Sequence, residues 1–102
     1  MLDTTPPVPP TFLLGFPGDQ QATLDWGDNY ESDILGYNVY MSFSPGGPYS
    51  KMNSDPVLAA EDHQWVQGGL NNGWRYYFVT AAVDMVSNES PKTTEVVVVP
   101  GP

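Results

Sequence analysis

The run from Leu70 to Asp84, LNNGWRYYFVTAAVD, sets a Leu, a turn at Asn72-Gly73 and a Tyr at position 76 directly ahead of a β-type stretch. That order describes a tyrosine corner, in which a buried phenol caps the junction of two sheets and its hydroxyl bonds back to backbone a few residues upstream. A chain with such a corner is held to an architecture of two sheets packed face to face. Tyr76 then belongs to the interior, and the strand after it has one face in and one face out.

The remaining sequence fits that plan. Short segments rich in β-branched and aromatic residues are separated by clusters of Gly, Pro, Asn and Asp, at the spacing of an all-β sandwich. Seven strands are expected: Thr11 to Phe16, ended by Pro17-Gly18; Gln21 to Trp26; Ile34 to Ser42; Tyr49 to Met52, after the turn Ser44-Pro45-Gly46-Gly47-Pro48; Gln64 to Gln67; Arg75 to Val83; and Thr94 to Val99. In the second, Ala22, Leu24 and Trp26 alternate with Gln21, Thr23 and Asp25, so one face is buried and the other wet. In the third, Tyr37, Val39 and Met41 share one face, and Asn38, Tyr40 and Ser42 the other. Trp26, Tyr37, Val39, Leu70, Tyr76, Phe78 and Ala82 are expected to interdigitate as the core, with Leu24 among them. No segment keeps a helical period over several turns.

With 102 residues, 40% of them hydrophobic, and no internal repeat, the chain fills one modest core. The domain is expected over residues 10–100. Ahead of it, Thr4-Thr5-Pro6-Pro7-Val8-Pro9-Pro10 is too proline-dense for helix or central strand, so residues 1–9 read as an extended, semi-rigid interdomain linker. A polyproline ligand for an aromatic groove is the alternative for this run. Pro100-Gly101-Pro102 stops the last strand in the same way. The start Met1-Leu2-Asp3 lacks the basic and apolar regions of a signal peptide, and no apolar stretch approaches the length of a membrane span. Both ends suggest a piece of a longer parent, with Met1 an added start and any targeting signal upstream.

Charge narrows the partners. Twelve acidic side chains face three basic ones, giving a formal net charge of -9. Lys51, Arg75 and Lys92 are too few and too scattered to release the counterions of a nucleic acid, and an anionic membrane surface is disfavoured for the same reason. The absence of Cys removes a disulfide framework, a thiolate zinc site and a thiol nucleophile. His63, the one histidine, lies between Asp62 and Gln64 with Glu61 close by, but no nucleophile motif, phosphate-cradling Gly loop or HExxH accompanies it. It reads as a strand-edge surface residue. Paired carboxylates for glycoside chemistry need a cleft, whereas the acids here fall mostly in turns. No catalytic residue, cofactor or metal is expected. Asp28, Glu31 and Asp33 crowd one loop with oxygens that would suit calcium, although their spacing matches no EF-hand. Unpaired surface acids are the default there.

The aromatics outside the core carry the remaining signal. Tyr40 and Tyr77 are expected to point outward from adjacent strands with Val79 nearby, a patch that could stack on a sugar or meet a neighbouring domain, or simply pair across the sheet. Trp65 is placed in the core and Trp74 at the rim of the corner. Asn88-Glu89-Ser90 has the form of a glycosylation sequon and reads more simply as a loop.

Trp26, the strand Ile34 to Tyr40 with its GYNVY, the turn Gly46 to Tyr49, the corner Leu70 to Tyr76, and the loop Asp84 to Ser90 with its NES follow one another in the order of a fibronectin type III domain. The chain resembles that family over nearly its whole length, and its bacterial branch most closely. The resemblance implies a seven-stranded antiparallel immunoglobulin-like sandwich; lacking Cys, it is set apart from antibody-type domains pinned by an inter-sheet disulfide. Two positions depart from the family pattern. Ser87 stands where a Gly is common, and Thr80 holds an inward site where a larger aliphatic is usual, which suggests a hydroxyl bonded to backbone or a looser core.

What the resemblance implies about function is a non-catalytic accessory module, a spacer or interaction domain in a larger secreted bacterial protein such as a carbohydrate-active enzyme. Its partners would be neighbouring domains of the parent chain, its location extracellular or at the cell surface, and its isolated state monomeric. The alternative is a domain that itself binds polysaccharide or protein, through the Tyr40 and Tyr77 face or the loops at one end of the sandwich.

Overall fold

Alternation over Gln21 to Trp26 and over Ile34 to Ser42 yields the central strands of two different sheets. The computed structural model describes residues 6–27, 29, 33–54, 56–58 and 63–102. In chain order the strands are β1 (Leu13–Gly18), β2 (Gln21–Trp26), β3 (Ile34–Ser42), β4 (Ser50–Lys51), β5 (Val57–Leu58), β6 (Gln64–Gln67), β7 (Tyr76–Asp84) and β8 (Val96–Val98). The smaller sheet runs β1-β2-β6 and the larger β4-β3-β7-β8, with β5 also on β3. All pairings are antiparallel.

β4 and β5 are two pieces of one edge strand. β4 pairs at Tyr40 and Met41, and β5 at Gly36 and Tyr37, along the same side of β3. Counted together they give the seven strands of the sandwich. Between the pieces, buried Asn53 takes over from the backbone: its Oδ1 accepts the Val39 N–H at 2.7 Å, and its Nδ2 donates to the Tyr37 carbonyl at 3.2 Å. The buried Val39 N–H, which the broken edge would orphan, is thereby satisfied.

Four strands differ in their ends from expectation: β4 shrinks to Ser50–Lys51, β7 shifts by one residue to Tyr76–Asp84, and β1 and β8 change more. β1 starts two residues later and continues through Pro17-Gly18. As an edge strand it tolerates a Pro, because the missing N–H costs no ladder bond on its open side. Gly15 lies where β1 passes β8: an added Cβ would meet the Val98 side chain at 2.5 Å. The last strand shortens to Val96–Val98, and ahead of it Thr93 pairs with Thr80 partly through its own hydroxyl, which accepts the Thr80 N–H at 3.0 Å.

Leu24, Trp26, Tyr37, Val39, Leu70, Tyr76, Phe78 and Ala82 form one buried cluster, joined by Leu13, Ala22, Ile34 and Val98. Trp26 and Tyr37 pack as tilted rings 5.5 Å apart. The Tyr76 hydroxyl accepts the Asn71 N–H at 2.8 Å, which closes the tyrosine corner. Thr80 is fully buried and its Oγ1 makes no hydrogen bond among the described residues, so of the two alternatives for this site the backbone-bonded hydroxyl is not the one seen. Ser87 adopts a left-handed φ of 69°, the conformation a Gly reaches at no steric cost. Buried Asp84 holds that loop, its Oδ1 accepting the N–H groups of Val86 at 3.0 Å and Asn88 at 2.8 Å.

Candidate functional site

The outer face of the larger sheet holds Tyr40, Tyr77 and Val79, of which the tyrosines are half-buried and Val79 is buried. Tyr40 pairs with Val79 across β3 and β7, and Tyr77 lies on the diagonal. Val79 is only 3% exposed although it points away from the core. The reason lies on the far side of β7, where the segment from Glu89 to Thr93 runs along the other edge. From there the Glu89 carboxylate accepts the Tyr40 hydroxyl, and the Asn38 Nδ2 donates to the same oxygen at 2.7 Å. These bonds span β7 and roof over Ala81 and Val79, which are both buried.

Lys92 completes the roof. Its ammonium sits 4.7 Å from the Tyr40 ring centroid and 4.0 Å from Glu89 Oε1. The cation stands over one face of the ring, which keeps intermediate exposure. Burial, aided by the hydrogen bond and charge of Glu89, pushes the Tyr40 hydroxyl up to about 12. Tyr77 stays half-buried between Ser42 and Val97, its partners on β3 and β8. Among the described residues no ring contact joins it to Tyr40.

The other sequence candidates fall into place as fold. His63 Nδ1 lies 2.8 Å from Asp25 Oδ1, and the imidazole is exposed at the margin of the smaller sheet. Of the acidic loop, Asp28 and Glu31 lie outside the described residues, while the Asp33 carbonyl accepts the Met85 N–H at 2.9 Å. The sequon residues are engaged within the domain. Asn88 Nδ2 donates to Asp84 Oδ2 at 3.0 Å, and the buried Ser90 hydroxyl accepts the Ala82 N–H at 2.8 Å. Trp65 packs half-buried against the core and donates from Nε1 to Gln67 Oε1 at 3.0 Å.

Exposed apolar surface lies elsewhere. On the smaller sheet, Leu14, Phe16 and Val66 face solvent. At the pole where β3 ends and β7 begins, Phe43 and Trp74 flank the corner tyrosine. Phe43 continues the inward-facing series Tyr37, Val39 and Met41 one step past the last β3 pair, where the smaller sheet has already turned at Gly18 to Gln21. Sequence reasoning put Trp74 at the rim but gave Phe43 no role. Its odd position in that series was the available signal.

The fold is that of the fibronectin type III domain. No family model matches the chain. It is 30% identical over 99 residues to an amylopullulanase of Thermoanaerobacterium saccharolyticum and 29% identical over 99 to that of Thermoanaerobacterium thermosulfurigenes. Each match takes in 96% of this chain, which spans only 7% and 5% of those relatives' lengths. Among solved structures, an Fn3-like protein from Clostridium thermocellum superimposes with a TM-score of 0.76 at 24% identity, over 96% of this chain and 97% of that one. A β-1,2-glucanase from Parabacteroides distasonis gives 0.77 at 22% identity, over 99% of this chain and 14% of that one. The FN1-FN3 domains of chicken CNTN1 give 0.79 at 13% identity, over 95% of this chain and 33% of that one.

Proposed function

We propose that the chain is a non-catalytic accessory module of a larger, extracellular carbohydrate-active protein, where it sets the position of neighbouring domains. The carrying observation is a match over almost the whole chain to small parts of much longer amylopullulanases. The route of the backbone supports a spacer. The Val8 carbonyl accepts Asn29 Nδ2 beyond the end of β2, while the Gly101 N–H donates to Gly18 ahead of its start. The chain therefore comes in at one pole and leaves at the other, along a body 49 Å long and 26 by 22 Å across.

In this reading residues 1–9 act as the linker and 10–100 as the module, which works as a monomer beside domains of its own parent chain. Pro7 and Pro10 are buried against the domain, which would carry the orientation of the linker into the sandwich. A net charge of -9 keeps nucleic acid from the partner set. Replacing residues 10–100 by a Gly/Ser linker in the parent enzyme should leave turnover of a small soluble substrate unchanged and lower turnover of the polymer. Loss of activity on the small substrate, with the catalytic domain still folded, would overturn the accessory role.

A further inference from the structure

We propose that the pole formed by Phe43 and Trp74 binds a neutral glucan chain, with the indole as its principal platform. Trp74 is 56% exposed and Phe43 65%, although Trp is on average a well-buried residue. Both rings rest on the same buried phenol. Trp74 stacks on Tyr76 at 21° and 6.5 Å, and Phe43 meets it tilted at 55° and 5.6 Å. The indole thus lies offset against a core ring and keeps more than half of its surface in water.

The turn that carries Trp74 is braced from several sides. The Asn71 N–H donates to the Tyr76 hydroxyl at 2.8 Å and the Gly73 N–H to the Pro100 carbonyl at 2.9 Å. Asn72 ties the turn to the Asp19-Gln20 loop, accepting the Gln20 N–H at 2.8 Å and donating to Asp19 at 2.9 Å. A ring presented this rigidly loses little conformational freedom on binding, so contact area converts efficiently into affinity.

The chemistry selects the occupant. A pyranose offers a face of C–H bonds that packs on an indole, and a rim of hydroxyls that needs donors and acceptors. Exposed Arg75 follows Trp74 in the chain, the carbonyl of exposed Asn71 accepts the Trp74 N–H at 3.3 Å, and Arg75 makes no ion pair among the described residues. A neutral polyol is not repelled by a net charge of -9, whereas a polyanion is. The glucan class rests on the accessory reading above. The exposed aromatic pole does not.

The test is affinity electrophoresis of the chain in gels containing pullulan, soluble starch or β-1,2-glucan, with thermal unfolding of each variant as a folding control. Retardation by at least one of these polymers is expected, weakened roughly tenfold by Trp74→Ala and also reduced by Phe43→Ala, with Tyr40→Ala without effect. Trp74→Phe, which keeps a ring, should restore part of the binding. No retardation by any of the three, or retardation indifferent to Trp74→Ala, overturns the proposal. Burial of Trp74 by a neighbouring domain in the longer parent, seen as a blue-shifted indole emission without glucan, also overturns it. Either failure leaves the accessory reading standing, since the linker replacement tests that separately.

Discussion

At the scale of single residues, two side chains decide how well the core is satisfied. Tyr76→Phe keeps the ring and removes the acceptor of the Asn71 N–H, so it should cost about 1–3 kcal/mol in a denaturant titration. An unchanged midpoint would mean that the corner contributes through ring packing alone. Thr80 presents the opposite case. Its buried hydroxyl has no partner among the described residues, so Thr80→Val exchanges an unsatisfied oxygen for a methyl of similar shape and should stabilise the fold by about 1–2 kcal/mol. A loss of stability would show that the hydroxyl is bonded in solution. The corner was legible in the sequence because its parts lie within seven consecutive residues, Leu70 to Tyr76. The orphaned hydroxyl was not, since it depends on what surrounds Thr80 from distant parts of the chain.

At the scale of elements, strands bounded by clear turn residues announced themselves and the broken edge did not. β2, β3 and β6 begin and end where alternation and turn residues place them, because each is fixed by burial of alternate residues. The broken edge of β4 and β5 has no such pattern, and its repair by Asn53 is a contact across 14 residues of sequence. Asn53→Ala should therefore cost roughly 1–3 kcal/mol, more than a surface Asn, because it strands the buried Val39 N–H. A cost below about 0.5 kcal/mol, the range of ordinary surface changes, would contradict that role. The Glu89 roof is still less legible, for Tyr40 and Glu89 stand 49 residues apart.

The roof also has a pH signature. The Tyr40 hydroxyl holds its proton up to about 12 in the fold, against about 10 in an unfolded chain. Between those values the unfolded state has lost a proton that the folded state keeps, so stability is full below about pH 10 and falls as pH rises toward 12. Urea midpoints measured across that window should fall less steeply for Tyr40→Phe than for the natural chain. Equal slopes would contradict a hydroxyl held by burial and Glu89.

At the scale of the whole molecule, apolar side chains stay exposed in several places, among them the smaller sheet, the Met85-Val86 loop and the pole of Phe43 and Trp74. Of the outward strand residues, Val79 is buried and Tyr40 is half-covered beside Glu89 and Lys92, while an inward-facing series runs past the end of the opposite sheet and exposes Phe43 beside Trp74. Alternation reports which way a side chain points. It does not report whether a neighbour covers it, nor where one sheet stops short of the other. The most direct test of this account is an amide NMR titration of the uniformly labelled chain with pullulan. Shifts should concentrate at Phe43 and from Asn71 to Tyr77, with Tyr40, Glu89 and Lys92 unmoved; shifts centred on Tyr40 and Lys92, or on Leu14, Phe16 and Val66, would contradict it.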